Sequence, residues 1–513
     1  DFMFPLSPMP KKLEENQNTG AFEDLRKQYK STFDVIESSD PLATALSFAA
    51  LLLNENLQSS TYRIETLVNL ALALGRDKNR LRQKNYRTLY GNMEKGIVAE
   101  QEDPAEDVFV SNISTMRGNF LVLEGLSEGA GYFLQVFMQM VDSLPKNESY
   151  DVIRDPVYAL LTLSNEACKR AGLSRNQLGN EMPKAKLTLQ DAKLIKKLKN
   201  CLTFSSADLD DLGIKLDDLG EFGFDLSARA KLLKQNLLHN DLERRPVCDK
   251  DGNTFLMLPT AVSGSIRRFV FEMVFKAYGL DTFLKALAHE YSSRLKLIPF
   301  LGEFGRVQLE FTPAGDTLMA SVFRWVDDGR VLHILFFMDN LRGFEETGFG
   351  GWDKDQPSTS TAILDHIKLA KAKAEESDEF KSGISLVVGC GVGRGIMHDV
   401  SVLELEDWDV DFLSVYDFEV LSNKNSFSPI SLWRLKDAER QVSEAGIKLI
   451  NINGLLNLIA WREQLGGHLV PHNQVPDSFG DGGAGMIMVD QNALLALRHQ
   501  SQQEVDVHSA CKL

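Results

Sequence analysis

Apolar residues recur at helical spacing through the first half of the chain and give way to short β-rich runs after about residue 245. Leu42 to Leu53 reads as one helix. A second runs from Thr61 to Leu74 and stops at Gly75, a residue suited to the left-handed position beyond a helix end. Gly118 to Val141 reads as an apolar, glycine-interrupted helical stretch, with Phe120, Leu123, Phe133 and Phe137 among its core residues. Val157 to Ala171 repeats the pattern and ends at Gly172. Leu194, Ile195, Leu198 and Leu202 form a helical stripe, with Lys193, Lys196 and Lys197 largely off it. No strong strand signal precedes residue 246. Leu209 to Gly213 and Leu216 to Gly220 both read Leu-Asp-Asp-Leu-Gly. A calcium loop would alternate oxygen ligands and close on a Glu; the interposed leucines make these short capped turns.

The pattern changes at Arg245-Pro246. Val247 to Leu258 reads as two strands around the Asp251-Gly252 turn. A helix carrying Ile266, Phe269, Val270 and Val274 ends at Gly279, and another carries Leu284, Leu287, Tyr291 and Leu295. Strands are expected at Val307–Phe311, Leu318–Val326 and Val331–Met338, the last two joined by Asp328-Gly329. Gly350 to Thr361 has loop composition, and Ala362 to Lys381 reads as an exposed charged helix. Strands at Ile384–Val388, Val410–Tyr416, Ile447–Ile452 and Met486–Val489 then alternate with helices at Ser431–Glu444 and Leu455–Gln464. Such alternation favours α/β layers.

The expectation is a multidomain protein with an all-α N-terminal half (1–245) and an α/β, or α+β, C-terminal half. The latter divides into an α+β segment with hairpins (246–352), a loop and charged helix (353–382) and an α/β segment (383–513).

Composition narrows the class. With 513 residues, 43% hydrophobic and 25% charged, the chain can bury large cores without disulfide staples. Phe supplies 30 residues against 10 Tyr and 5 Trp, a bias toward core filling. A net charge of −16 opposes any whole-surface affinity for nucleic acid or anionic lipid and leaves room only for local basic patches. Cys168, Cys201, Cys248, Cys390 and Cys511 are dispersed, with no Cys-x-x-Cys pair, which points to a reducing compartment and the cytoplasm. The apolar run Ala43–Leu53 is shorter than the roughly 20 residues that span a bilayer, so no membrane partner is expected.

Three constellations carry candidate chemistry. Gly389-Cys390-Gly391-Val392-Gly393-Arg394 follows a strand directly, and such glycines let backbone N–H groups approach a cofactor. The run resembles the first motif of S-adenosylmethionine-dependent methyltransferases. That resemblance implies a cofactor contact at Gly389, Gly391, Gly393 and Arg394, with Asp409, Asp411 or Asp417 on a ribose. Val387 departs from it, because an acid usually ends that strand, so the cofactor stays unassigned.

Secondly, a helix bearing Glu290 precedes strand-forming runs with Glu310, Asp316 and Asp339. This order resembles the PD-(D/E)xK nucleases, which implies Glu290, Asp316 and Asp339 as catalytic carboxylates. The acid-x-Lys step is missing: Met338-Asp339-Asn340-Leu341 stands in its place, with Arg342 beyond. A scaffold without catalysis satisfies the same pattern.

Thirdly, Arg76, Lys78, Arg80, Arg82, Lys84 and Arg87 crowd one segment opposed only by Asp77. Ala71, Gly75 and Leu81 resemble a helix-turn-helix, although Lys84 takes an apolar position of that motif. The resemblance implies contact with phosphates or guanine edges. Lys184 to Lys199 is a second basic face. His468 and His472 are interrupted by Gly466, Gly467 and Pro471 and lack a third ligand, so no metal site is expected.

The functional expectation is a helical protein-interaction module fused to an α/β domain that binds nucleic acid or a nucleotide. The enzymatic alternative is a divergent metal-dependent nuclease or methyltransferase.

Overall fold

The computed structural model describes residues 26–27, 30–53, 61–76, 109–124, 130–146, 148–173, 192–235, 240–296, 298–302, 309–314, 317–327, 329–338, 357–390, 405–422, 427–451, 454–470, 485–490, 493 and 497. Two units emerge: Asp1–Phe283 with Thr347–Gly351, and Leu284–Glu346 with Trp352–Leu513.

In the first unit, α1 (Lys30–Glu37), α2 (Pro41–Ala49) and α3 (Thr61–Leu74) precede a hairpin of β1 (Phe109–Thr115) and β2 (Gly118–Glu124). Then come α4 (Ala130–Ser143), α5 (Glu148–Ala171) and α6 (Ala192–Cys201). Strand β3 (Thr203–Ser205) pairs with β5 (Asn253–Leu256), which also pairs with β4 (Val247–Lys250). Helix α7 (Val262–Tyr278) follows, and α8 (Leu280–Leu295) begins at the unit's end.

The hairpin corrects the all-helical expectation for the N-terminal half. Its second strand opens the apolar stretch that read as continuous helix, and a fully apolar run carries no period to separate strand from helix. A two-stranded ribbon is marginal alone. Here polar side chains from flanking helices satisfy its backbone. Gln135 on α4 accepts from Ser114 N at 2.7 Å and donates to Ser114 O at 2.6 Å. On β2, Leu121 N donates to Asn165 Oδ1 at 3.0 Å, and Leu121 O accepts from Ser164 Oγ at 3.2 Å. Strand β3 also joins residues on both sides of position 245 in one sheet.

Gly75 differs from expectation too. Its φ is not positive; instead, a Cβ there would stand 2.7 Å from Pro41 Cα, so glycine serves a close approach between α2 and the end of α3. Asp251 (φ 52°) and Gly252 (φ 73°) do form the expected tight turn between β4 and β5. The Leu-Asp-Asp-Leu echoes fall in short helices, Ser206–Asp211 and Leu216–Leu219. The Ser205 hydroxyl and N–H, with Arg170, hold the Asp208 carboxyl down at about 2.

The second unit centres on a five-stranded sheet in the order β10-β9-β8-β7-β6. Its strands are β6 (Thr312–Ala314), β7 (Thr317–Asp327), β8 (Arg330–Met338), β9 (Ser382–Gly389) and β10 (Trp408–Ser414). Strands β6, β7 and β8 form an antiparallel meander, and β8, β9 and β10 run parallel. Helix α9 (Pro357–Glu375) makes the crossover from β8 to β9. It begins inside the stretch that read as loop to Thr361. The expected strand at Val307–Phe311 is displaced as well: residues 309–311 are not strand, and β6 starts at Thr312.

Every residue from Val331 to Met338 is buried, because both faces of β8 are covered. Ile363, Ile367, Ala370 and Ala374 of α9 pack against Val331, Leu335, Phe337 and Val387. On the other face Phe336 meets Phe418 of α10 (Val415–Ser422), their ring centres 5.5 Å apart. Beyond β10 and α10 lie α11 (Pro429–Glu444), β11 (Ile447–Ile450), α12 (Gly454–Gln464) and β12 (Gly485–Met488). Strands β11 and β12 pair in parallel.

The Trp408 ring lies across Gly383, where an added Cβ would meet it at 2.1 Å. Gly383→Ala is expected to destabilise the protein by about 1–3 kcal/mol through forced repacking. Urea denaturation followed by fluorescence checks this; an unchanged midpoint would show that the ring moves aside freely.

Candidate functional site

Strand register brings together, at one end of the five-stranded sheet, the strand ends that flank two of the three candidate regions in sequence. Leu318, near the start of β7, pairs with Met338, the last residue of β8. Phe337 pairs with Gly389, and Gly389 with Ser414, the last residues of β9 and β10. The Cys390 N–H donates to Phe337 O at 2.8 Å, extending this edge by one residue. In sheets with parallel strands the carboxyl end is where loops meet ligands. Asp316, Asp339, Gly391, Gly393 and Arg394 lie outside the described residues, in segments that adjoin these strand ends in sequence. Glu290 is half-buried on α8, and Glu310 is exposed two residues before β6. Among the described residues no three His, Cys, Asp or Glu side chains form a metal-holding group.

The three acids after the glycine run have other partners. Asp411 accepts from Lys436 Nζ at 2.9 Å, and Asp409 from Arg440 Nη2 at 2.5 Å, both cations on α11. Burial would lower the Lys436 pKa, but Asp411 and Glu439 outweigh it and raise it, holding the ammonium charged. Alternation along β10 explains the arrangement: Trp408, Val410 and Phe412 join the core beneath α9, and Asp409 and Asp411 take the opposite face. Asp417 is buried on α10, where its N–H donates to Ser414 Oγ at 3.0 Å.

Two buried polar arrangements escaped the sequence reading. Arg294 Nε on α8 donates to Glu419 Oε2 on α10 at 2.8 Å, with both side chains at most 3% exposed. Removing one member of such a pair strands a charge and costs about 3–5 kcal/mol. The residues are 125 positions apart, and no local spacing signals their meeting. Beneath α9, Trp408 Nε1 donates to Ser385 Oγ at 2.9 Å, and Ser385 Oγ lies 2.9 Å from His333 Nδ1. The indole can only donate, so Ser385 Oγ is the acceptor in the bond from Trp408. Burial, with His366 on α9 nearby, lowers the His333 pKa to about 4.

Of the basic segment, Arg76 is exposed immediately after α3, and Lys78, Arg80, Arg82, Lys84 and Arg87 lie outside the described residues. Arg229 fixes the backbone just before it. Its Nη1 donates to Leu72 O at 2.6 Å and Gly75 O at 2.7 Å, satisfying carbonyls at the end of α3.

The molecule is thus a mixed helix and sheet protein whose second unit layers helices on both faces of a mixed sheet. A family model described as anti-phage protein Upx-like matches residues 16–512, and the chain belongs to that family. No curated protein matches it, and no solved structure does.

The His333 environment has a pH consequence. Its folded pKa is depressed below the ordinary 6.5, so its contribution is complete above pH 6.5 and lost as pH falls toward 4. The full effect is about 3 kcal/mol. His333→Gln is expected to flatten the fall in urea stability between pH 7 and pH 4.5. An equal fall in wild type and variant would assign the pH dependence elsewhere.

Proposed function

We propose that this anti-phage protein acts on nucleic acid in the cytoplasm, through a nuclease-like second unit served by a first unit that makes binding contacts. One observation carries the reading: the succession of a helix (α8), an antiparallel three-strand meander (β6–β8), a crossover helix (α9) and a parallel strand (β9). A helix followed by strands is the order on which the resemblance to PD-(D/E)xK nucleases rested. The pairing of Leu318 with Met338 supports it, because Leu318, two residues after Asp316, and Met338, next to Asp339, share one sheet end.

The cytoplasmic assignment draws support from Cys168, Cys201, Cys248 and Cys390, which are free and buried. Among the described residues no single helix is long and apolar enough to cross a membrane. The roles assigned are carboxylate chemistry for Asp316 and Asp339, with Glu290 as the supporting acid on α8.

The test has a cellular and a purified arm. Cells expressing the wild type are expected to restrict plaque formation, and Asp316→Ala and Asp339→Ala to abolish that restriction at equal protein levels. With purified protein, Mg²⁺ or Mn²⁺ and phage DNA or RNA, each variant should lower cleavage about a hundredfold or more. Full restriction by both variants would remove the nuclease-like site from the account.

A further inference from the structure

The first unit brings together basic elements that are far apart in sequence. Helix α6 carries Lys193, Lys196, Lys197 and Lys199 and no acid. The 3₁₀ helix Leu226–Lys234 carries Arg229, Lys231 and Lys234 and no acid. Three contacts join them at one corner. Lys199 Nζ donates to Ala43 O on α2 at 3.1 Å. Pro41, two residues earlier, abuts Gly75 at the end of α3. Gly75 O accepts from Arg229. Lys199 and Arg229 therefore stand on the order of 10 Å apart, with the exposed Arg76 next to Gly75.

Side-chain directions turn this corner outward. In a 3₁₀ helix residues i and i+3 eclipse. Arg229 and the buried Leu232 form the inner row, and Lys231 and Lys234 form an exposed ridge. On α6, Ile195 and Leu198 are buried, leaving Lys196 and Lys197 exposed. Of the acids near these elements, Asp40 caps α2 through Ala43 N and Glu37 pairs with Arg26. The exposed Asp225, which accepts from Ser227, lies close enough to Lys231 to offset part of its charge. Glu65 of α3 is buried and accepts from Thr260. In a chain of net charge −16 this is a strong local segregation of positive charge.

We infer that Arg76, Lys196, Lys197, Lys231 and Lys234 form a docking surface for the phosphodiester backbone of nucleic acid, read without base specificity. Cations without exposed apolar neighbours suit phosphates. A membrane face would add apolar residues for insertion, and none of the large exposed apolar residues among those described falls on α6 or Leu226–Lys234. The inference shares its partner with the function proposed above and otherwise rests on the first unit alone.

The experiment measures binding of the full-length protein to fluorescein-labelled 30-nucleotide DNA and RNA, single- and double-stranded, over a range of NaCl concentrations. Lys196→Glu/Lys197→Glu and Lys231→Glu/Lys234→Glu are compared with Lys250→Glu/Lys276→Glu, exposed lysines on β4 and α7 that make the same change in net charge. Each corner variant is expected to weaken binding about tenfold or more and to shallow the log–log salt slope by about 2, with the control near wild type. Circular dichroism and melting verify the fold.

The inference is overturned if the wild type binds no nucleic acid, if the control weakens binding as much as the corner variants, or if neither corner variant changes affinity or slope. It is also overturned if phosphatidylserine vesicles are bound through these lysines and nucleic acid is not. Asp316→Ala/Asp339→Ala reports on the nuclease-like reading through phage restriction, separately from binding at the corner. Corner variants that bind normally, beside carboxylate variants that fail to restrict phage, would sink this surface and leave the nuclease-like reading standing.

Discussion

Burial of β8 on both faces is the constraint from which the second unit follows. A strand with no solvated side needs apolar residues at consecutive positions, and Val331 to Met338 supplies them apart from His333. It also needs a helix layer above and another below. Helix α9 provides one and, by crossing over, delivers β9 parallel to β8. Helix α10 closes the other through Phe418, with Phe300 and Phe427 extending the aromatic contacts. Among the polar groups left inside, Arg294 is matched with Glu419 and His333 with Ser385.

The same packing decides which strand ends stand near which. Parallel register sends the ends of β8, β9 and β10 to one edge and returns the start of β7 there. The described strand ends that flank the nuclease-like and glycine-rich stretches in sequence therefore share one end of one sheet. Asp409 and Asp411 are drawn off to anchor α11, and their charge is answered by Arg440 and Lys436. In the first unit, close approach at Gly75 and capping by Arg229 play the corresponding part for the basic elements.

Much of the second unit was legible in sequence. Strands β7, β8 and β9 and helices α11 and α12 fall close to where their patterns placed them, because Asp-Gly or Gly punctuation bounds them. In the first unit the β1–β2 hairpin was not legible. Its stability comes from Gln135, Ser164 and Asn165 on helices α4 and α5, and a polar residue on an apolar helix face does not announce which backbone it will serve. Of the candidate site residues, Glu290, Gly389 and Arg76 fall on or beside the expected elements.

By itself the sequence determined the chain's local preferences: where most of the second unit's helices and strands form, that its cysteines are dispersed, and that cations cluster in short runs on an acidic chain. These follow from periodicity and composition, which act over a turn or a strand. Tertiary structure alone decided the partners of those runs. The contact of α6 with α2, the capping of α3 by Arg229 of the 3₁₀ helix Leu226–Lys234, the pairing of Arg294 with Glu419 and the shared sheet end of β7 to β10 join residues far apart in sequence. Such contacts are selected by burial and register across the whole core, and no local pattern encodes them.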